Sequence, residues 1–331
     1  MNRKVVIGID GGGSHTRILV VDEHGEALAY IETGGSNPYH HPDAGRHLQD
    51  GIHQALKIAQ CTVEDVVSLT AGLAGLDEEK NYIWANQQLA ATGIKGRISA
   101  VNDAFPAQVG AFLGEPGIVA IGGTGSIIYG RNECGEEQRN YSFEHYAPAA
   151  ARFIGYDTVH RIIAGRYEQA DQSFVGEVLS FFQLEEVNQL AQIGTRGFYE
   201  EATVRNRFFG QLAPLVTLAA ERGVPLATQV CDHAADSVAI GISLVGSTFR
   251  SADIRVSCIG SVLLSTYMRN AVLQQLSIPN ASDKKYQYSD TQVAPVVGAV
   301  IDAFNAVGMN PSTEYPPSLQ RFVESNLIVQ G

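Results

Sequence analysis

The sequence has few cysteines, and they are scattered. Its 331 residues include four, Cys61, Cys134, Cys231 and Cys258. None of them stands in a CxxC spacing, so neither a zinc knuckle nor the disulfide framework of a small secreted protein is indicated. We expect reduced, buried thiols.

The sequence also lacks an excess of positive charge and any long apolar run. With 23 Lys and Arg against 35 Asp and Glu, the formal net charge is −12, which disfavours nonspecific binding to nucleic acid or to an anionic membrane surface. The apolar stretch at residues 5–9 is far shorter than a signal sequence or a membrane span. We therefore expect a cytoplasmic protein whose partners are small molecules or protein, with neither nucleic acid nor membrane as a partner.

What the sequence does have is length, apolar residues and glycine. A chain of 331 residues with 45% hydrophobic residues is too long for one comfortable core and predicts two domains with a cleft between them. The 34 glycines exceed an average share. Tight turns or close contacts between backbone and ligand must account for some of them.

The first third of the chain has the pattern βββαβαβα. Strands are predicted at 5–9, 17–21 and 26–31, helices at 44–59, 78–91 and 104–113, and further strands at 66–70 and 97–101. A Rossmann start needs a helix directly after its glycines. Here a strand follows Gly11-Gly12-Gly13, so an antiparallel meander is predicted instead.

The strand-turn-strand pattern of the N-terminus is repeated after residue 117. Residues 118–121, a glycine turn and residues 126–129 predict a second strand-turn-strand unit, which suggests two related halves. Helical spacing dominates 157–250, and a strand at 254–259 and helices at 263–272 and 295–307 follow. We predict domains at 1–115 and 116–331, the second with a helical insertion.

Two glycine loops have the character of phosphate sites. The first comprises Asp10, Gly11, Gly12, Gly13, Ser14, His15 and Thr16, and the second Gly122, Gly123, Thr124, Gly125 and Ser126. Such loops bring backbone N–H groups against phosphate oxygens without obstruction by side chains. Asp10 could hold Mg²⁺ through water, while Ser14 and Thr16 offer hydroxyls. The alternative for the first loop is a plain glycine-rich turn.

Neither loop is a P-loop. The pattern GxxxxGK[ST] is absent and no lysine follows either loop. The charge that balances bound phosphate must then come from Mg²⁺ and from backbone dipoles.

Asp103 follows a predicted strand and precedes a predicted helix. A carboxylate there could accept a proton from a substrate hydroxyl that attacks a phosphorus atom. It could equally be an ordinary helix N-cap, for which aspartate is favoured. Both interpretations stay open on these residues alone.

Three histidines, His40, His41 and His47, lie close together in the sequence. Adjacent histidines usually diverge, and no carboxylate spacing completes a metal site. We interpret them as solvated surface.

Five motifs in this order, DGGGSHTR, GGSNP, VNDAF, AIGGTGSIIYG and CIGSVLLS, resemble the N-acetylglucosamine kinase branch of the BadF/BadG/BcrA/BcrD ATPase family. The resemblance implies an α/β fold of two ribonuclease H-like (actin-like ATPase) domains. Each would be a mixed five-stranded sheet flanked by helices, with a cleft between them and the last helix packing back on the N-terminal domain.

The resemblance also implies functional roles. It implies ATP and Mg²⁺ as cofactors, an amino sugar such as N-acetylglucosamine or glucosamine as substrate, Asp103 as general base and a homodimer. The implied ATP phosphate and Mg²⁺ residues are Asp10, Gly11, Gly12, Gly13, Ser14, Thr16, Gly123, Thr124, Gly125 and Ser126. Gly260 and Ser261 would bind adenosine, and Asn37, Asn102, Asp103 and Thr124 the sugar. Locally, Asn37-Pro38 and Gly260 are equally well turns.

One segment departs from the family. A GDEGSG-like stretch usually precedes an aromatic-Ile-Gly, and its acidic residues help hold the sugar, but here Ala147 and Pro148 align with the acidic pair and Arg152 precedes Phe153. The departure leaves the acceptor sugar open. Two alternatives follow, an ATP-driven activator like those of the 2-hydroxyacyl-CoA dehydratases and a degenerate nucleotide-binding regulator.

Overall fold

The computed structural model describes residues 3–39, 41–279, 281–311 and 314–330. The chain divides by contact into two compact units, Met1–Pro116 with Asp290–Gly331, and Gly117–Ser289. We call them the first and the second unit. The prediction assigned 116–331 to the second domain and expected only the last helix to pack back on the first, whereas the contacts group all of residues 290–331 with the first unit.

Within the described residues, the first unit is built on a five-stranded sheet. Its strands are β1 (Val5–Gly11), β2 (His15–Asp22), β3 (Ala27–Gly34), β4 (Val66–Leu73) and β5 (Arg97–Asn102). Their order is β3-β2-β1-β4-β5, with β1, β2 and β3 antiparallel to one another and β1, β4 and β5 parallel. The carboxyl ends of the three parallel strands therefore lie side by side.

Helices cover both faces of this sheet. They are α1 (Ala44–Ile58), α2 (Glu79–Ala90), α3 (Ala104–Phe112), α10 (Pro295–Asn305) and α11 (Tyr315–Gln330). Ile7 and Ile9 of β1 join a core that includes α1, while Val6 faces a second core built on α10. Because both faces are buried, the strand reads as a continuous apolar run.

The contact between α10 and β1 explains a glycine in the strand. A Cβ on Gly8 would lie 2.5 Å from the carbonyl oxygen of Val296 and 2.6 Å from the Val300 side chain. Glycine therefore lets the helix backbone approach the strand directly. This contact groups α10 with the first unit.

The second unit repeats the sheet order. Its strands in the described part of the chain are β6 (Gly117–Gly122), β7 (Ser126–Arg131), β8 (Glu137–Arg139), β9 (Asp253–Ile259) and β10 (Lys285–Tyr288). The order β10-β9-β6-β7-β8 again has the first strand in the middle, antiparallel to the second and parallel to the fourth. The two related mixed sheets confirm the predicted fold class.

The predicted helical region forms most of the second unit's core. It comprises α4 (Ala151–Ile163), α5 (Gln172–Phe181), α6 (Val187–Gly194), α7 (Ala202–Glu221) and α8 (Pro225–Gly246), and α9 (Thr266–Ser277) follows β9. These helices bury Phe174, Phe209 and Val238 together with Ile118 of β6. In the described ranges, none of the helices has the length and apolar character needed to cross a membrane.

The cysteines follow the prediction with one exception. Cys61, Cys231 and Cys258 are free and buried, but Cys134 is free and exposed, so the prediction was wrong for Cys134. It lies in the turn between β7 and β8, where its amide donates to the side-chain oxygen of Asn132.

Candidate active site

The first glycine loop is a short hairpin turn between β1 and β2. Gly12 N donates to His15 O at 2.8 Å, and the three carbonyl oxygens of Gly11–Gly13 each accept a hydrogen bond. Their donors are Ala74 N, Ser36 N and His41 Nε2, at 2.8, 3.2 and 2.8 Å. The negative ends of these peptide dipoles are therefore occupied by the protein, which suits a loop that binds anions.

Asp10 lies where β1 meets this loop, beside Gly72 of β4 in the parallel register. Its side chain is 16% exposed, and its Oδ2 lies 3.5 Å from Nη1 of Arg17, which also donates from Nε to Glu32 at 3.0 Å. Burial raises the pKa of Asp10, and the positive charge of Arg17 opposes that rise. The carboxylate is thus partly accessible and only partly neutralised.

The two hydroxyls predicted for this loop have different surroundings. Ser14 is exposed. Thr16 has no exposed surface, and its hydroxyl donates to Gly34 O at 2.8 Å. Thr16 therefore ties the hairpin to the end of β3, and this use of its hydroxyl differs from the predicted contact with phosphate.

His41 and His47 correct the interpretation as solvated surface, and His40 lies outside the described residues. Both are half-buried, and His41 Nε2 donates to Gly13 O while His47 Nδ1 donates to Gly35 O at 2.9 Å. Their rings meet edge to face with centroids 6.1 Å apart. Because carbonyl oxygens only accept, these contacts fix which ring nitrogen carries the proton. The pair supports the first glycine loop and the adjoining GGSNP segment.

Asn37 lies in that segment. It is 8% exposed, its Oδ1 accepts from Tyr39 N at 2.9 Å, and its amide group lies against Gly75. The Tyr39 ring is exposed, and its hydroxyl donates to Oδ1 of Asn81 at 3.0 Å. These contacts fix the orientation of the Asn37 side chain.

Asp103 begins α3 at the carboxyl end of β5. It occupies the N-cap position, yet its carboxylate makes no side-chain capping hydrogen bond. The amide of Ala104, the first residue of the helix, donates to Oδ1 of the neighbouring Asn102 at 3.1 Å. The helix-cap alternative left open by the sequence is therefore not how the Asp103 carboxylate is used.

The surroundings of Asp103 favour its protonated form. Burial, with the nearby negative charges of Asp10 and Asp77, raises the pKa of Asp103 to about 7. A carboxyl group with such a pKa can accept a proton near neutral pH better than an ordinary aspartate can. Asn102 Nδ2 lies 3.4 Å from Asp77 Oδ1, so it also helps to place one of these charges.

In the second glycine loop, as in the first, backbone carbonyl oxygens accept hydrogen bonds from the protein. All five carbonyl oxygens of residues 122–126 accept hydrogen bonds within the second unit. In chain order, the donors are the amides of Val262 and Leu263 together, then Ala151 N, Arg152 Nη1, Gly123 N and the Tyr141 hydroxyl. Thr124 and Gly125 are exposed. Because every carbonyl oxygen of the loop already accepts a hydrogen bond, the backbone groups that the loop can offer to a ligand are N–H groups.

Gly260 and Ser261 lie directly against this loop. Gly260 has φ +92°, and a Cβ there would lie 2.5 Å from Gly122 O. Only glycine fits both the backbone conformation and the space. The structure therefore brings together the predicted phosphate and adenosine residues of the second unit, and Ser261 is exposed beside them.

Comparison with known proteins decides the family. The profile of the BadF/BadG/BcrA/BcrD ATPase family matches residues 7–303. The chain belongs to this family.

Two of its relatives are sugar kinases by name. An N-acetylmuramic acid/N-acetylglucosamine kinase of Clostridium acetobutylicum is 27% identical over 249 residues, which cover 73% of this chain and 79% of that protein. An N-acetyl-D-glucosamine kinase of Dictyostelium discoideum is 27% identical over 259 residues, 72% of this chain and 78% of that protein. A crystal structure of a candidate N-acetylglucosamine kinase from Chromobacterium violaceum is 21% identical, with a TM-score of 0.68 over 91% of this chain and 99% of that one. That likeness shows the fold.

The segment that departs from this family is structural in its first half. Ala147, Ala149 and Ala150 are buried in the core of the second unit. Arg152 instead points its Nη1 to Thr124 O at 3.0 Å. Ala147, which aligns with one of the family's acidic pair, thus serves packing, and the polar residue of the segment contacts the second glycine loop.

Sequence reasoning missed Asp77, Tyr141, His41 and His47. Asp77 follows a glycine-containing turn after β4, and a carboxylate just beyond a parallel strand was a usable signal. The other three act through hydrogen bonds to loop carbonyls. No local sequence pattern marks such contacts.

Proposed function

We propose that this protein is an ATP-dependent sugar kinase whose acceptor is N-acetylglucosamine, glucosamine or a related amino sugar. The observation that carries the proposal is the Asp103 carboxylate, which is half-buried, makes no capping hydrogen bond and has a pKa near 7. Membership in the family and the names of the two kinase relatives support it.

In the proposed reaction, Asp103 accepts the proton of a sugar hydroxyl. The hydroxyl oxygen forms a bond to the γ-phosphorus of ATP while the bond from that phosphorus to the ADP oxygen breaks. The products are a sugar phosphate and ADP, with the proton on Asp103. A pKa of about 7 matches the group to this transfer at neutral pH.

Each glycine loop would bind nucleotide phosphate. Exposed Ser14 in the first loop and the N–H groups of Thr124 and Gly125 in the second are the proposed phosphate contacts. Gly260 and Ser261, placed against the second loop, are the proposed adenosine contacts. The engaged carbonyl oxygens of both loops support this assignment, since an unpaired carbonyl would repel phosphate.

Magnesium fits the residues present if it is held mainly by water and phosphate. Mg²⁺ commonly takes one or two carboxylates and keeps several waters. Asp10 supplies one partly exposed carboxylate. Across the described residues, no group of three or more His, Cys, Asp or Glu could cage a metal ion by itself. When bound, Mg²⁺ would neutralise charge on the phosphates.

Asn37 is the proposed sugar contact in the first unit, because its side chain is fixed by Tyr39 N and lies beside Gly75. The amide of Asn102 already contacts Leu76 O and Asp77, and the residue is 3% exposed. We therefore propose that Asn102 positions its neighbours and that Asn37 and Asp103 make the sugar contacts.

A panel of sugars tests the proposal. Purified protein with Mg²⁺ and ATP is assayed for ADP release with N-acetylglucosamine, glucosamine, N-acetylmuramic acid, glucose and fructose. We expect release that depends on an amino sugar, with thermal stabilisation by the same sugar because a ligand of the native state raises apparent stability. ATP binding without sugar-dependent ADP release would contradict the kinase and favour a nucleotide-binding regulator.

The dehydratase-activator alternative has no observation in its favour. An iron–sulfur cluster needs several accessible thiolates. Among the described residues, Cys134 has no second exposed cysteine beside it. Assembly as a homodimer and a cytoplasmic location stay predictions, and light scattering of the purified protein measures the first.

A further inference from the structure

The second glycine loop carries a positive charge that the motif does not predict. Arg152, in the first turn of α4, donates from Nη1 to Thr124 O at 3.0 Å. In the same turn, Ala151 N donates to Gly123 O at 2.7 Å, so α4 begins directly on the loop. The guanidinium group is therefore fixed to the centre of a loop that itself contains no charged residue.

The charge of Arg152 is not neutralised by a carboxylate. Other arginines of the chain make ion pairs, such as Arg17 with Asp10 and Glu32, and Arg161 with Asp157. Within the described residues, no carboxylate pairs with Arg152. Its acceptor is a neutral carbonyl, and the protein around it has a net charge of −12. Such a cation is available to an anionic ligand.

The side chain is also held in place before any ligand arrives. Arg152 Cζ lies 4.4 Å from the centroid of the Phe153 ring, a cation–π distance. A guanidinium group has five N–H donors in a rigid fork, and the Thr124 carbonyl uses one. The remaining donors suit the planar, two-point recognition of phosphate oxygens.

We infer that Arg152 is a phosphate-binding residue, which contacts the phosphate chain of a nucleotide bound on the second glycine loop. The inference rests on the proposed function, because it takes the ligand of this loop to be ATP. It assigns to a side chain the positive charge that a P-loop would take from its lysine. The chemical class of the ligand is a nucleoside triphosphate or diphosphate.

Nucleotide affinities test the inference. Dissociation constants of ATP, ADP and AMP are measured by calorimetry in Mg²⁺ buffer for the native protein and for Arg152→Gln and Arg152→Lys. Gln can still donate to Thr124 O but lacks the charge, and Lys keeps the charge but lacks the fork. Arg166→Gln is the matched control, since it removes the same charge from an exposed position just after α4, about 20 Å away along the helix.

We expect Arg152→Gln to weaken the binding of ATP and ADP by about 10-fold or more, and the binding of AMP by much less. Arg152→Lys should fall between Gln and the native protein, and Arg166→Gln should match the native protein. The loss of ATP affinity in Arg152→Gln should become smaller at higher salt, because salt screens the contact between charges.

Three results would overturn the inference. Equal ATP affinities in the native protein and Arg152→Gln would show that Arg152 does not contact the phosphates. An equal loss of affinity for ATP, ADP and AMP would mean that the role of Arg152 is purely structural. A raised KM for N-acetylmuramic acid alone, with unchanged ATP affinity, would assign Arg152 to a sugar carboxylate. Native protein that binds no nucleotide would instead refute the proposed function.

Discussion

At the scale of single residues, Asp103 shows what a sequence can and cannot decide. Its place between a strand and a helix is visible in the sequence, and that place suits a general base and an N-cap equally. The structure separates the two because the Asp103 carboxylate makes no side-chain capping hydrogen bond at the start of α3. The charges of Asp10, at the end of β1, and of Asp77, in the segment after β4, raise its pKa. No local sequence pattern shows that these two carboxylates lie close to Asp103.

The raised pKa of Asp103 predicts a pH-dependent cost in stability. The pKa rises from 3.8 in the unfolded chain to about 7 in the folded protein, so folding favours the protonated form. The resulting stabilisation is complete below the unfolded pKa and is lost as pH rises through about 7. Asp103→Asn, which keeps the shape without the charge, should be more stable than native protein at pH 8, by roughly 1–4 kcal/mol.

Chemical denaturation at two pH values measures this effect. The variant should exceed the native protein in free energy of unfolding at pH 8, and the difference should shrink at pH 5. A variant that is less stable than native protein at pH 8 would contradict the pKa assigned to Asp103.

At the scale of elements, the glycine loops were the part most visible in the sequence. Both hairpins and the order of strands and helices around them match the prediction, because glycine turns and apolar runs are local signals. The short strands β8 and β10 were not placed, since three or four residues at a sheet edge carry no alternation to detect. The partners of the loop carbonyls, Arg152 and Tyr141, likewise come from separate segments.

Gly260 tests the close contact between the second loop and the segment after β9. Gly260→Ala must place its Cβ 2.5 Å from Gly122 O at a φ of +92°. We expect a loss of unfolding free energy well beyond the roughly 1–2 kcal/mol cost of a left-handed conformation alone. Weaker ATP binding should accompany it.

Gly165→Ala is the control, because Gly165 has φ +68° and nothing lies within 4 Å of its Cβ position. Thermal unfolding of both variants checks the prediction. Equal losses for the two variants would mean that the contact between Gly260 and Gly122 is not tight.

At the scale of the whole molecule, the two related halves were predicted from the paired loops and the family resemblance. The observed sheets share one strand order. The resemblance implied that the last helix packs on the first domain, but the grouping of α10 with the first unit could not be derived from its residues, because an apolar helical pattern does not say which sheet it covers. Gly8 marks the position on β1 where the backbone of α10 packs, but a glycine in a strand does not identify which helix packs there.

Phe304 measures how much α10 contributes to the first unit. It is fully buried in the core that α10 shares with β1 and β2, and its ring meets that of Tyr315 at 5.3 Å. Phe304→Ala should lower the free energy of unfolding by about 3–5 kcal/mol. Ile83→Ala, at a position that is 53% exposed on α2, should change it by less than about 1 kcal/mol. Similar small losses for both would mean that α10 is not part of this core.

The most direct test of the kinase assignment is phosphoryl transfer by Asp103→Asn, measured beside its ATP affinity under the same conditions. If Asp103 accepts the hydroxyl proton, sugar-dependent ADP release should fall by about 10²- to 10⁴-fold, while the dissociation constant of ATP stays within about two-fold of the native value. An undiminished rate of transfer in this variant would contradict the account.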